Sequence, residues 1–202
     1  MLKKLFCFCR AAESNAIFFA LKRRSHFGER KEFMSEADTP WSRLASRVAR
    51  VVLARKDFTY AELVDALAAE GSTDGERALV SRISRGTLKL SLLLQMVSIT
   101  GATPPERWTT ALRAEGTWEQ KAHGVIVSEL ARQPMIDFSE LVRRLASFGT
   151  SVPERTLEAN IATGNLSLAL FLQLLLALSS DSLERYVDYD DLLEAAKTAS
   201  MD

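Results

Sequence analysis

Between positions 77 and 89 the chain sets four cations at short spacing, Arg77, Arg82, Arg85 and Lys89, with the hydroxyls of Ser81 and Thr87 among them. On a helix Arg82 and Arg85 lie about one turn apart, with Arg77 about one and a half turns before Arg82. Guanidinium and ammonium groups placed in this way can hold phosphate oxygens, and an arginine fork can read a base edge. The expectation is contact with double-stranded DNA, with Arg82 toward a base and Arg85, Thr87 and Lys89 toward phosphate. The same residues also suit the solvated face of an amphipathic helix, a reading that needs no ligand.

Other chemistry is poorly supplied. Cys7 and Cys9 make two ligands without partners, and His26 and His123 stand alone, so neither a metal nor a small-molecule cofactor is expected. No nucleophile is spaced with a base and no glycine loop could cradle a phosphate, so no catalytic residue is assigned and the chain is not expected to be an enzyme. Asp188, Asp190, Asp191 and Glu194 lack the glycine of a calcium loop and read as an acidic, solvated tail.

The elements that must position the cations are written twice. Glu62-Leu63-Val64 recurs as Glu140-Leu141-Val142, Gly71 as Gly149, Glu76-Arg77 as Glu154-Arg155, and Ile83 and Gly86 as Ile161 and Gly164. Leu88-x-Leu90-x-Leu92-x-Leu94-Gln95 recurs as Leu166-x-Leu168-x-Leu170-x-Leu172-Gln173. One offset of 78 residues serves all these pairs, and a shift of one residue near Pro134 brings Trp41 and Leu53 onto Trp118 and Leu130. A duplication of this kind implies two structural units.

Each unit reads as four helices, giving an all-α protein of two tandem small bundles. Helical apolar spacing predicts first helices near 41–56 and 118–133. Thr59-x-x-Glu62 and Asp137-x-x-Glu140 read as capping boxes for second helices that stop at Gly71 and Gly149. Thr73-x-x-Glu76 and Ser151-x-x-Glu154 read as boxes for third helices that stop at Gly86 and Gly164. The fourth helices, near 90–99 and 168–178, are almost wholly apolar; they are too short to span a bilayer and should form the buried centre of each unit. Gln95 and Gln173 inside them should hydrogen-bond nearby backbone, because an unpaired buried amide is costly. Arg77 and Arg155, present in both units like Glu62 and Glu140, are expected to make a structural ion pair between helices.

The domains are therefore 1–40 as a leader, 41–116 as the first repeat and 117–202 as the second with its acidic tail. The leader holds 8 basic and 3 acidic residues in positions 1–33, and Arg10 and Glu13 break its apolar run before it could serve as a secretory signal. Met34-Ser35-Glu36-Ala37-Asp38 reads like an ordinary polar protein start, so 1–33 is expected to be an extension ahead of the true start or a disordered tail. With both cysteines in that segment, nothing in the repeats suggests a disulfide framework, and a cytoplasmic protein without a transmembrane segment is expected. The formal net charge is zero, but residues 41–116 hold 11 basic and 8 acidic side chains while 117–202 hold 7 and 13. Any attraction to phosphate thus belongs to the first repeat.

Leu79-Val80-Ser81-Arg82-Ile83-Ser84-Arg85-Gly86, followed by a leucine-rich helix, resembles the Cro/XRE-type helix-turn-helix, in which a recognition helix ends in a glycine turn before an apolar fourth helix. The segment 59–67 resembles the helix that precedes the recognition helix in that family. The Glu-Arg-x-Leu-x-x-x-Ile-x-x-Gly core, with Leu-Gln in the next helix, more closely resembles an uncharacterised bacterial family of unknown function. These resemblances imply a bacterial transcription regulator binding DNA through its first repeat. The second repeat carries Asn160, Thr163 and Ser167 in place of Arg82, Arg85 and Lys89. The alternative is a protein-interaction or scaffold module, in which the two helical units bury leucine-rich faces against each other or against a partner, with a protein partner or self-association expected.

Overall fold

Both repeats open on a reciprocal cap. The Thr39 hydroxyl accepts the Ser42 amide at 3.1 Å while the Ser42 hydroxyl accepts the Thr39 amide at 3.0 Å; Thr117 and Gln120 do the same for the second repeat. These caps start α1 (Pro40–Ala54) and α6 (Trp118–Leu130) in the computed structural model, which describes residues 38–201. The readings of the leader and of Cys7 and Cys9 lie outside the described residues.

The rest of the first repeat is α2 (Tyr60–Ala69), α3 (Glu76–Arg85), α4 (Leu90–Ile99), a 3-10 turn (Glu106–Trp108) and α5 (Thr109–Arg113). The second continues with α7 (Phe138–Ser147), α8 (Glu154–Thr163), α9 (Leu168–Ala177) and α10 (Tyr189–Ala199). Among the described residues all regular structure is helical, as the apolar periodicities imply, and no helix is long and apolar enough to cross a membrane. Trp41, Leu44, Ala45, Val48, Ala49 and Val52 put one stripe of α1 in the core. α4 and α9 are buried along almost their whole length, at the positions expected for them.

The repeats are two tandem helical domains that also pack closely on one another. α1 packs on its own α3 and α4 and equally on α9 and α10 of the second repeat, while α6 packs on its own α8 and on α4, α5 and the 3-10 turn of the first. Where α4 and α9 begin, the Leu90 amide donates to the Leu166 carbonyl at 2.9 Å and the Leu168 amide to the Leu88 carbonyl at 2.8 Å. This short antiparallel bridge pairs Lys89 with Ser167. Because 88, 89 and 90 are the duplicates of 166, 167 and 168, the two bonds exchange when the repeats are interchanged. The chain is thus an isologous dimer in one polypeptide, with its pseudo-two-fold axis through the bridge.

Two glycines make the close packing possible. Gly86 and Gly164 end α3 and α8 at φ +68° and +66°, and a Cβ there would lie 1.7 Å from the Ser42 carbonyl oxygen and 1.9 Å from that of Glu119. No side chain fits between the start of the first helix and the turn that follows the third.

Several local expectations need correction. α3 and α8 take Gly75 and Pro153 as N-caps with no side-chain cap bond, so Thr73 and Ser151 form no boxes. Pro153 disfavours the helical conformation at Val152 that a cap at Ser151 would require, and a helix capped at Thr73 would enclose Gly75. Asp137 does accept the Glu140 amide, at 2.8 Å, but the Glu140 carboxylate turns to Arg143 and Arg144 instead of reaching back. Glu62 is taken up by Thr59 and Glu140 by Arg143 and Arg144, and among the described residues the inter-helix ion pairs expected for Arg77 and Arg155 do not form. The Gln173 amide oxygen is buried without a partner, against the expectation of backbone bonding. The acidic tail is α10: Asp190 and Asp191 occupy its first turn, Asp191 pairs with Arg47 on α1, and Leu192, Ala195 and Ala196 enter the core.

Candidate nucleic-acid interface

α3 turns Leu79 and Ile83 into the core, and this decides where its polar residues lie. Arg77 and Arg85 are exposed, and Ser81 and Arg82 are half-buried. Thr87 is half-buried in the turn after Gly86, and Lys89 is exposed on the bridge. Arg77 lies about 12 Å along the helix from Arg85 at 1.5 Å per residue. Arg85, Thr87 and Lys89 are therefore gathered at one place, next to the pseudo-axis, and Arg77 stands apart from them.

Arg82 is not available in the way the sequence suggested. Its guanidinium is bound to the Asp74 carboxylate in the loop before α3. Among the described residues Arg77, Arg85 and Lys89 make no ion pair.

The bridge brings the matching turn of the second repeat alongside. The two strips, Arg85-Gly86-Thr87-Leu88-Lys89 and Thr163-Gly164-Asn165-Leu166-Ser167, together carry two cations, three hydroxyls and an amide, and no carboxylate. Their chemistry is unequal. Ser167 caps α9 by accepting the Leu170 amide at 3.2 Å, whereas Lys89, at the same place before α4, makes no side-chain cap. An ammonium group at a helix N-terminus faces the positive end of the helix dipole, which is unfavourable. The first repeat thus has a cation where the second has a stabilising cap. Glu119 stands in the second repeat where the first has Ser42, so the negative charge also falls on the second side.

A buried polar cluster was missed from sequence. Glu129 on α6 is almost fully enclosed and accepts the Trp108 indole N–H at 2.6 Å, the Ser180 hydroxyl at 2.7 Å and the Ser182 hydroxyl, with Arg107 at 3.4 Å. Asp181 lies 3.5 Å from Arg107 and 3.2 Å from Arg132. Its own backbone amide, then Arg132, holds this carboxyl below the usual range. A signal was there: Glu106-Arg107-Trp108 recurs at the same offset of 78 as Glu184-Arg185-Tyr186. Among the described residues no group of three His, Cys, Asp or Glu side chains could hold a metal ion.

A family model described as Domain of unknown function (DUF6471) matches the chain twice, over residues 41–104 and 118–183. No curated protein and no solved structure matches it.

Proposed function

We propose that this chain, which belongs to the DUF6471 family and carries two copies of its domain, is a non-catalytic cytoplasmic regulator of bacterial type. In this reading it binds the sugar–phosphate backbone of duplex DNA through its first repeat. The observation that carries the reading is Lys89: a cation at a helix N-terminus, where the duplicate keeps a serine cap, beside Arg85 and on the pseudo-axis. Arg85 and Lys89 supply phosphate contacts at the turn and Arg77 a third further along α3, while the Thr87 hydroxyl adds a neutral donor.

The likeness of α3 to a Cro/XRE recognition helix supports an outward, cation-bearing third helix. Six residues, 70–75, separate α2 from α3, against the three or four of a tight helix-turn-helix. With Arg82 also held by Asp74, backbone contact is favoured over base reading. The leucine-rich faces are covered by the other repeat, which the interaction reading also expects, so it is the cations at the turn, unpaired among the described residues, that favour the nucleic-acid reading.

Fluorescence anisotropy with a labelled 20-base-pair duplex tests this. Three phosphate contacts predict about a 40-fold loss of affinity between 50 and 200 mM salt. Replacing Arg85 and Lys89 with glutamate should abolish binding with the far-ultraviolet circular dichroism unchanged. Absence of binding at 50 mM salt, or binding that survives the double substitution, overturns the proposal.

A further inference from the structure

The pseudo-symmetry brings the mate of the buried acidic cluster to the other side of the molecule. There Val52 replaces Glu129, Thr103 replaces Asp181, and Ala102 and Pro104 replace Ser180 and Ser182. The cations, however, are retained: Arg55 is the duplicate of Arg132 and Arg185 that of Arg107, while Lys56 replaces Gln133. These three line an open pocket of about 300 Å³ with Ala102, Thr103 and Tyr186. Every carboxylate of the one site is missing from the other.

The pocket has fixed walls. Tyr186 is buried and donates its hydroxyl to the Thr103 carbonyl at 3.0 Å, tying the loop after α4 to the one before α10. The Arg55 guanidinium lies over the same ring, 5.8 Å from its centre. Burial pushes the Tyr186 hydroxyl up, while the charges of Arg185 and Arg55 act on it the other way, in keeping with two guanidinium groups close to one ring. Among the described residues Arg55, Lys56 and Arg185 make no ion pair, and the acids adjacent in sequence, Asp57 and Glu184, do not bridge them.

We infer that this pocket binds a small free oxyanion of the phosphate or carboxylate class, held between Arg55 and Arg185 with Lys56 at its edge. The internal precedent is Asp181, whose carboxylate sits between Arg107 and Arg132 at 3.5 and 3.2 Å. The anion takes the place of that missing side chain. Two arginine forks converging on one pocket suit a planar or tetrahedral oxyanion better than chloride. The site is separate from the Lys89 turn, and the inference does not rest on DNA binding.

Inorganic phosphate is the probe, tested on the full chain against sodium chloride at equal ionic strength. At ten times the Kd found by isothermal titration, phosphate should raise the melting temperature by about 4 °C. Arg55→Gln with Arg185→Gln, both exposed, should remove that response while leaving the protein folded. Thr103→Asp supplies the carboxylate that Asp181 provides in the duplicate; it should raise the melting temperature without phosphate and remove the response to it. A phosphate response no larger than that of chloride overturns the inference, as does one that survives Thr103→Asp. If instead the two glutamine substitutions weaken duplex binding as much as the Arg85 and Lys89 changes do, the pocket is part of a nucleic-acid surface and the free-oxyanion assignment is wrong.

Discussion

The indole N–H of Trp41 donates to the carbonyl of Phe148 at 3.2 Å, joining the first helix of one repeat to the end of the second helix of the other. Its duplicate Trp118 donates at 3.1 Å to the side chain of Glu70, and positions 70 and 148 are themselves duplicates. The contacts are alike in place and unlike in surroundings. Trp41 is buried, so its acceptor has no ready substitute in water; the Trp118 bond is exposed and water can replace it.

Trp41→Phe should therefore cost about 1 kcal/mol beyond its packing loss, seen as a melting temperature lower by about 3 °C. Trp118→Phe should lower it much less. Equal losses at the two sites would count against burial as the deciding factor.

The glycines separate conformational strain from steric exclusion. Gly71 has φ +91° with open space where a Cβ would stand, so Gly71→Ala should cost about 1 kcal/mol in urea titration. Gly86→Ala adds a clash with the Ser42 backbone and should cost about 3 kcal/mol or more. Similar values for the two would mean that α1 moves aside easily, which the shared core argues against.

Lys89→Ser copies the second repeat's cap into the first. It should stabilise the protein by about 1 kcal/mol, because a serine cap is gained and a cation is removed from a helix N-terminus. Duplex affinity should fall and its salt dependence become shallower by about one contact. A gain in stability with DNA affinity unchanged would separate Lys89 from the proposed function.

Glu140 gives a pH signature of the second repeat. Hydrogen bonds from Arg143 first, then from Arg144, pull its carboxyl down to about 2. A carboxyl lowered on folding stabilises above its unfolded value, and the benefit fades as pH falls toward 2. The ion pairs lie at the surface, where screening keeps the effect on stability small, and the titration itself is the better measurement. Nuclear magnetic resonance should find Glu140 ionised at pH 3, and Arg143→Ala with Arg144→Ala should return it to the ordinary carboxylate range.

Much of the helix inventory was legible because it is local. Apolar period places α4 at 90–99, and glycines at the αL position stop the third helices at Gly86 and Gly164. The caps of α3 and α8 were misread where proline and glycine overrule a side chain's capping preference. Glu129 was passed over because one carboxylate on an amphipathic helix looks solvated until its partners, Trp108 and the serines at 180 and 182, are brought to it from distant positions. The acids of α10 hid a buried stripe of only three residues, Leu192, Ala195 and Ala196.

By itself the chain's order of residues determined that there are two copies, that both are helical, and which face of each helix is apolar, because period and capping act over a few residues. Only the tertiary structure decided what covers those faces. An apolar stripe carries no address, so α1 could have closed on its own repeat alone; the glycine gaps at 86 and 164 seat each first helix on its own third helix, while the Leu88–Leu168 bridge joins the copies so that each first helix packs on the other as well. That exchange leaves Arg85 and Lys89 at the axis, and gives Arg107 and Arg132 carboxylate partners that Arg185 and Arg55 lack.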